Sequence, residues 1–238
     1  DLVFPNTATL VQEKLGIGGC PAFSLETACS GFIYAAAVAD KFIKLGEAKC
    51  ALVIGADCLS RLLDWTDRST CVLFGDGAGA VILKPSSESG IISCHLGSDG
   101  QYKDLLCYPI GPSKDLHKAG SSDAKLLMSG NEVFKVAVRT LGKLAEKTLR
   151  DNNIDQEKLD WLVPHQANMR IIKATAKRLK LPLSKVILTV QDHGNSSSAS
   201  IPMALDVGIE DGRIQRGQLI LMEGFGGGFT WGSILMRY

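Results

Sequence analysis

No run of apolar residues in this chain approaches the roughly 18 that a membrane-spanning helix needs. Charge of one sign is not in excess either: 26 Lys and Arg stand against 25 Asp and Glu, a formal net charge of +1. That balance removes any global electrostatic reason to expect nucleic acid or a membrane surface as partner. Histidine is scarce, at 4 residues. The 7 cysteines are odd in number, and no two stand at C-x-x-C spacing. A disulfide framework or a zinc site is therefore disfavoured, and free thiols in a reducing, cytosol-like compartment are expected. What is present is apolar material, 45% of 238 residues, with 25 glycines. This suffices for a large core in one large or two smaller domains.

Periodicity alternates between helix and strand. NTATLVQEKLGI reads as a helix, AFSLET as a strand, Phe32 to Gly46 as a helix, CALVIGAD as a buried strand and GAGAVILK as a further strand. Later, Asn131 to Asn152 reads as a long helix and LDWLVP as a strand. ANMRIIKATAKRLKL reads as a helix, KVILTV as a strand, IPMALDVGIEDG as a helix, and QLILMEGF and TWGSILMRY as two closing strands. The order helix, strand, small-residue turn, helix, strand, strand occurs twice, from Asn6 to Lys84 and from Ala167 to Tyr238. This predicts a duplicated α/β unit, with halves at residues 1–125 and 126–238. The second series is preceded by a helix and a strand, Asn131 to Pro164, that have no counterpart before Asp1. An N-terminal part of the first half is therefore expected to be missing from the chain.

In the two series ETACSGF corresponds to QDHGNSSSAS. A pseudo-twofold would bring Cys29 and Asn195 to one cleft. His165, at the end of WLVP, should reach the same place, since residues beyond the carboxyl ends of strands line ligand crevices. Cys, His and Asn together make a nucleophile set, and the helix after Cys29 is expected to lower its thiol pKa. GFGGGFTWG lies between two strands with no Lys after it, unlike a phosphate loop; a tight glycine turn can aim a backbone N–H at an oxyanion. GDGAGA runs straight into a strand and reads as a close-packing turn. His95, His117 and His193 have no partner at useful spacing, and adjacent Cys94 and His95 cannot readily chelate one metal. Basic residues from Arg170 to Lys180 form either a solvated helix face or a docking patch for an acidic partner.

TACSGF, LDWTDR, FGDGAGAV, VPHQANMRI, HGNSSSASIP and GFGGGFTWGS, in this order and spacing, resemble β-ketoacyl-acyl-carrier-protein synthase III, the initiating condensing enzyme of type II fatty acid synthesis. The resemblance implies a thiolase-like fold, two duplicated α/β halves in a layered αβαβα arrangement. It implies that Cys29 accepts the acyl group, that the Cys29 and Gly227 N–H groups form the oxyanion hole, and that His165 and Asn195 bind the malonyl thioester carbonyl. It further implies that Phe4 closes the partner's acyl pocket across a homodimer, that Arg68 lies beside the coenzyme A adenine, and that Arg170, Lys177 and Arg178 dock the carrier protein. Acyl-CoA and malonyl-acyl carrier protein would be the substrates, with no metal or other cofactor, no nucleic acid and no membrane. The compartment would be the cytoplasm, or the plastid stroma if the source is a plant. Thiolases carry a second catalytic Cys in the glycine-rich loop, which has none here, and elongating synthases carry His where this chain has Asn195. A related condensing enzyme of secondary metabolism with another primer, and a non-catalytic acyl-binding homologue, stay open.

Overall fold

A computed structural model describes residues 2–88, 90–115 and 124–238; His117 lies outside them. The elements are α1 (Thr7–Lys14), α2 (Gly31–Lys44), β1 (Ala51–Cys58), β2 (Asp76–Leu83), β3 (Ile91–Ser98), β4 (Leu106–Cys107), α3 (Pro112–Asp115), β5 (Leu127–Met128), α4 (Gly130–Asp151), β6 (Trp161–Pro164), α5 (Met169–Arg178), α6 (Val190–His193), α7 (Ser200–Glu210), β7 (Leu219–Gly226) and β8 (Thr230–Arg237).

β1 and β2 form an antiparallel ribbon, and a mixed sheet runs in the order β3-β8-β7-β6, with β6 parallel to β7. The all-buried run LILMEGFG makes β7 a central strand, as a near-continuous apolar strand covered on both faces should be. Ile220 and Met222 join Phe32, Ile33, Ile201 and Leu205 in one core between the sheet and helices α2 and α7. Leu219 and Leu221 face the other way, against Ala145, Leu149, Ile172 and Ala176 of α4 and α5. The layers are thus ribbon, α2 with α7, sheet, and α4 with α5, which are four of the expected five. Each fully buried Ile or Phe at these faces contributes about 1.5–3 kcal/mol.

The duplication is legible in the backbone. Each series has a helix, a connecting segment, a 3-10 turn, a helix and an antiparallel strand pair, and in the second series the connection also carries the short helix α6. The turns match in detail: Ala28–Ser30 precedes α2 and Ser197–Ala199 precedes α7, and Ala28 (φ 47°) and Ser197 (φ 52°) are both non-glycine residues in the left-handed region. Such residues are uncommon and concentrate where the surroundings enforce a sharp turn.

Three expectations need correction. AFSLET and KVILTV, the paired segments before the two turns, form no strand. KVILTV has one isolated bridge, Val186 to Leu162, and further along its backbone N–H groups of Thr189 and Val190 go to Gln166 Oε1. AFSLET has no strand beside it among the described residues, and Phe23 and Leu25 are exposed. β1 is only half buried: Val53 and Gly55 face inward while Leu52 and Ile54 are exposed. β3, not anticipated at all, comes from the first expected half and completes the sheet of the second by pairing with β8.

Candidate active site

Cys29 is the middle residue of the first 3-10 turn and is 5% exposed. The turn sits directly on the sheet because β7 offers glycine there: a Cβ at Gly226 would lie 2.7 Å from Cys29 N and 2.9 Å from Thr27 O. Thr27 O accepts hydrogen bonds from Ser30 N (3.2 Å), Ser30 Oγ (2.8 Å) and Thr230 Oγ1 (3.0 Å), which pins the turn to β8. Burial pushes the thiol up to about 11; the Ser197 side chain, the Cys29 backbone N–H and Asn195 work the other way, and the Asp57 charge adds to the rise. The sequence led us to expect a depressed pKa from the helix N-terminus. A helix end contributes up to roughly 2 kcal/mol, about one and a half pKa units, so burial outweighs it and the resting group is a thiol.

His165 follows β6 and donates its backbone N–H to Glu223 O at 2.7 Å. Its ring is buried, with Nδ1 2.6 Å from Ser200 Oγ, which also accepts the Gln166 N–H at 3.2 Å. Burial holds the imidazole down at about 4, so it is neutral near pH 7. The Gln166 side chain is fully used: Nε2 donates to Pro164 O and Ile187 O, and Oε1 accepts from Thr189 N and Val190 N. One amide therefore locks the His165 strand end to the segment that leads to Asn195.

Asn195 donates its N–H to Leu73 O (2.7 Å) and its carbonyl accepts from Gly75 N (2.9 Å). Its side-chain Oδ1 accepts from Ser197 N at 2.9 Å, which leaves the amide NH2 as the outward donor. Cys29, His165 and Asn195 line one cavity of about 50 Å³, walled mainly by apolar residues, among them Phe74, Leu106, Met128, Leu141 and Phe225. A thiol, a neutral imidazole and an amide donor share an apolar pocket, a setting in which fixed donors stabilise developing negative charge strongly.

Comparison with known proteins decides the family. Profiles of 3-oxoacyl-(acyl-carrier-protein) synthase III and of its C-terminal region match residues 23–100 and 149–238. Over all 238 residues the chain is 58% identical to β-ketoacyl-(acyl-carrier-protein) synthase III of Thioalkalivibrio sulfidiphilus, covering 74% of that protein. The chain belongs to the 3-oxoacyl-(acyl-carrier-protein) synthase III family. Among solved structures, the synthase III of Aquifex aeolicus superposes with a TM-score of 0.92 at 46% identity, covering 100% of this chain and 73% of that one. A priming β-ketosynthase from a polyketide biosynthetic pathway superposes with a TM-score of 0.93 at 32% identity, covering 99% and 71%. The thiolase-like architecture implied by the resemblance is that of this synthase III family.

The remaining residues singled out in the sequence are dispersed. Gly227 lies in the β7–β8 turn, where a Cβ would come within 2.8 Å of Leu106 O, next to the cavity wall. Phe4 is 84% exposed and Arg68 is exposed on the loop after β1; neither lines the cavity. On α5, Arg170 lies over the Phe134 ring at 4.7 Å, and Lys177 is exposed. Arg178 makes a two-point ion pair with Glu146, at 2.7 and 2.8 Å, so its charge is already engaged. Sequence reading missed Ser200, Gln166 and Ser197. They sit inside the quoted motifs, but no spacing rule marks a serine as the partner of a histidine 35 residues away. It also missed Glu223, fully buried on β7, with neither carboxyl oxygen hydrogen-bonded among the described residues. Burial pushes that carboxyl up to about 8.

Proposed function

We propose that the protein condenses a short acyl-CoA, acetyl-CoA first, with malonyl-acyl carrier protein to give 3-oxoacyl-acyl carrier protein, the opening step of type II fatty acid synthesis. The observation that carries this reading is the meeting of Cys29, His165 and Asn195 on one apolar cavity in a chain of the synthase III family. They come from both expected halves, residues 1–125 and 126–238.

The Cys29 sulfur attacks the thioester carbonyl, with the Cys29 and Gly227 N–H groups as oxyanion donors. The carbon–sulfur bond to coenzyme A breaks, and the Cys29 proton ends on the released coenzyme A thiol. Because burial holds the resting thiol well above neutrality, thiolate forms with attack rather than standing ready. One oxyanion donor contributes about 2.7–4 kcal/mol in comparable sites. The malonyl thioester then binds with its carbonyl oxygen between His165 and the Asn195 amide. Ser200 Oγ lies 2.6 Å from His165 Nδ1; with its hydroxyl donating there, the imidazole carries its proton on Nε2, the donor this oxygen needs. Loss of CO2 leaves the bonding electron pair as an enolate, held by these two donors. The enolate carbon attacks the acyl-Cys29 carbonyl, the bond to Cys29 sulfur breaks, and that sulfur takes a proton from solvent.

Coenzyme A enters as its thioester substrate, and these steps draw on no further cofactor. Phe4 and Arg68 would act in an assembled homodimer and at the adenine. Of the three α5 cations expected to dock a carrier protein, Arg170 and Lys177 are exposed and Arg178 is tied to Glu146. The 7 free cysteines fit a cytoplasmic setting. Incubation with acetyl-CoA and malonyl-acyl carrier protein should yield the 3-oxobutyryl carrier protein and one CO2 per turnover. Absence of that product with acetyl- and longer acyl-CoAs alike would overturn the assignment.

A further inference from the structure

The Asn195 loop rests on the inner face of the β1–β2 ribbon, and glycine makes the approach possible. A Cβ at Gly55 would lie 2.3 Å from the Ser198 carbonyl oxygen, one at Gly75 2.2 Å from that of His193, and one at Gly77 2.6 Å from Met203 Sδ. The motif FGDGAGA is thus a bed for this loop. A charged side chain of the neighbouring strand reaches the loop as well. Asp57, half-buried at the end of β1, accepts through Oδ2 from Ser198 N at 3.0 Å and from Ser198 Oγ at 2.6 Å.

Ser198 is the middle residue of the turn Ser197–Ala199, as Cys29 is of Ala28–Ser30. The two turns abut, since the atom nearest a Cβ placed on Gly31 is Ser198 Cβ, at 3.2 Å. The residue at the N-cap, Ser196, makes no side-chain capping bond, and the carboxylate of a distant strand supplies an acceptor for Ser198 N, a charge-assisted and therefore strong one. Asn195 Oδ1 is in turn bonded to Ser197 N in the same turn. Orientation of the Asn195 amide therefore passes through Ser197 and Ser198 to Asp57.

We infer that Asp57 is a positioning residue for condensation: through Ser198 it fixes the turn that aims the Asn195 amide, and it takes no part in loading the acyl group on Cys29. The inference rests on the function proposed above. Charge supports the separation of the two steps. Asp57 opposes ionisation of the Cys29 thiol, so loss of its charge favours loading and counters any loss of the Ser197 contact, whereas a general loosening of the site would slow both steps.

The test uses the full chain and two single-turnover rates. Acetyl loading from acetyl-CoA is followed by intact mass, and product release is followed from pre-acetylated protein mixed with malonyl-acyl carrier protein. Asp57→Ala should condense roughly 10- to 100-fold more slowly, the range for losing a hydrogen bond to a charged group, while loading stays unchanged or quickens. Asp57→Asn keeps an acceptor oxygen and should recover most of the loss. If Asp57→Ala does not fold, Ser198→Ala decides, because it removes only the hydroxyl bond; it should slow condensation alone, by up to about tenfold. Equal losses in both rates, or condensation at the wild-type rate, would overturn the inference. A wild-type protein that neither loads nor condenses would overturn the functional reading and this inference with it. A wild type competent in both steps, with variants that fail to separate them, overturns this inference alone.

Discussion

Glu223 should make the folded protein less stable as pH rises from 5.5 to 8, and Glu223→Gln should abolish most of that dependence. The carboxyl lies on β7 opposite Ser233, whose Oγ is 2.7 Å from Thr148 Oγ1. Thr175 of α5, the hydroxyl acting on it, is itself outside hydrogen-bonding geometry. Without donors, a buried carboxylate loses its hydration and is not compensated, so the group stays protonated. Its folded pKa is raised from 4.5 to about 8. Between those values the unfolded chain has released the proton and the folded chain retains it. The unfolded state then binds fewer protons, and stability falls with rising pH. Each pKa unit is worth about 1.36 kcal/mol, so the interval from pH 5.5 to 8 should cost roughly 3 kcal/mol. Urea denaturation of wild type and Glu223→Gln at both pH values measures this directly. All other titrating groups are common to both proteins, so the difference between their pH slopes isolates Glu223. Parallel slopes would refute the reasoning and mean that Glu223 is ionised and partnered in the folded state.

Other consequences can be checked in the same preparation. Asn195→Ala should leave acetyl loading within a few-fold of wild type and slow condensation by about 10²–10³, as removal of one fixed oxyanion donor does; single-turnover rates separate the two. Ser200→Ala removes the bond that directs the His165 tautomer and leaves the buried Gln166 N–H without its acceptor. It should slow condensation about tenfold and move the imidazole proton signals in the NMR spectrum; an unchanged spectrum would remove Ser200 from the tautomer argument. Arg170→Ala should raise KM for malonyl-acyl carrier protein several-fold at low salt and less at high salt. Arg178→Ala should change KM less and lower thermal stability, because its guanidinium is tied to Glu146.

Much of the fold was legible because its signals are local. The apolar faces of α2, α4, α5 and α7 repeat at helical spacing, and the two series of elements share an order. Cys29 and Asn195 could be brought together from the matched turns, and His165 from its place beyond the carboxyl end of a strand. What the sequence could not display is long-range and polar. The link from His165 to Ser200, the Gln166 amide that replaces a strand ladder at Thr189 and Val190, and Asp57 reaching across to Ser198 all depend on orientations set by packing. AFSLET and KVILTV have strand composition, but a strand requires a partner, and composition does not say whether one is adjacent. The direction of the Cys29 shift was misjudged for a related reason. The helix end is visible in the sequence, whereas the depth of burial that opposes it is not.

The most direct test of the account is acyl transfer to Cys29. Intact mass of the purified protein before and after brief exposure to acetyl-CoA, followed by peptide mapping, should show one acetyl group on the peptide containing ETACSGF, and none in Cys29→Ser. An acetyl group on any other residue, or none on folded protein with any short acyl-CoA, would contradict the claim that this turn is the nucleophile of a condensing enzyme.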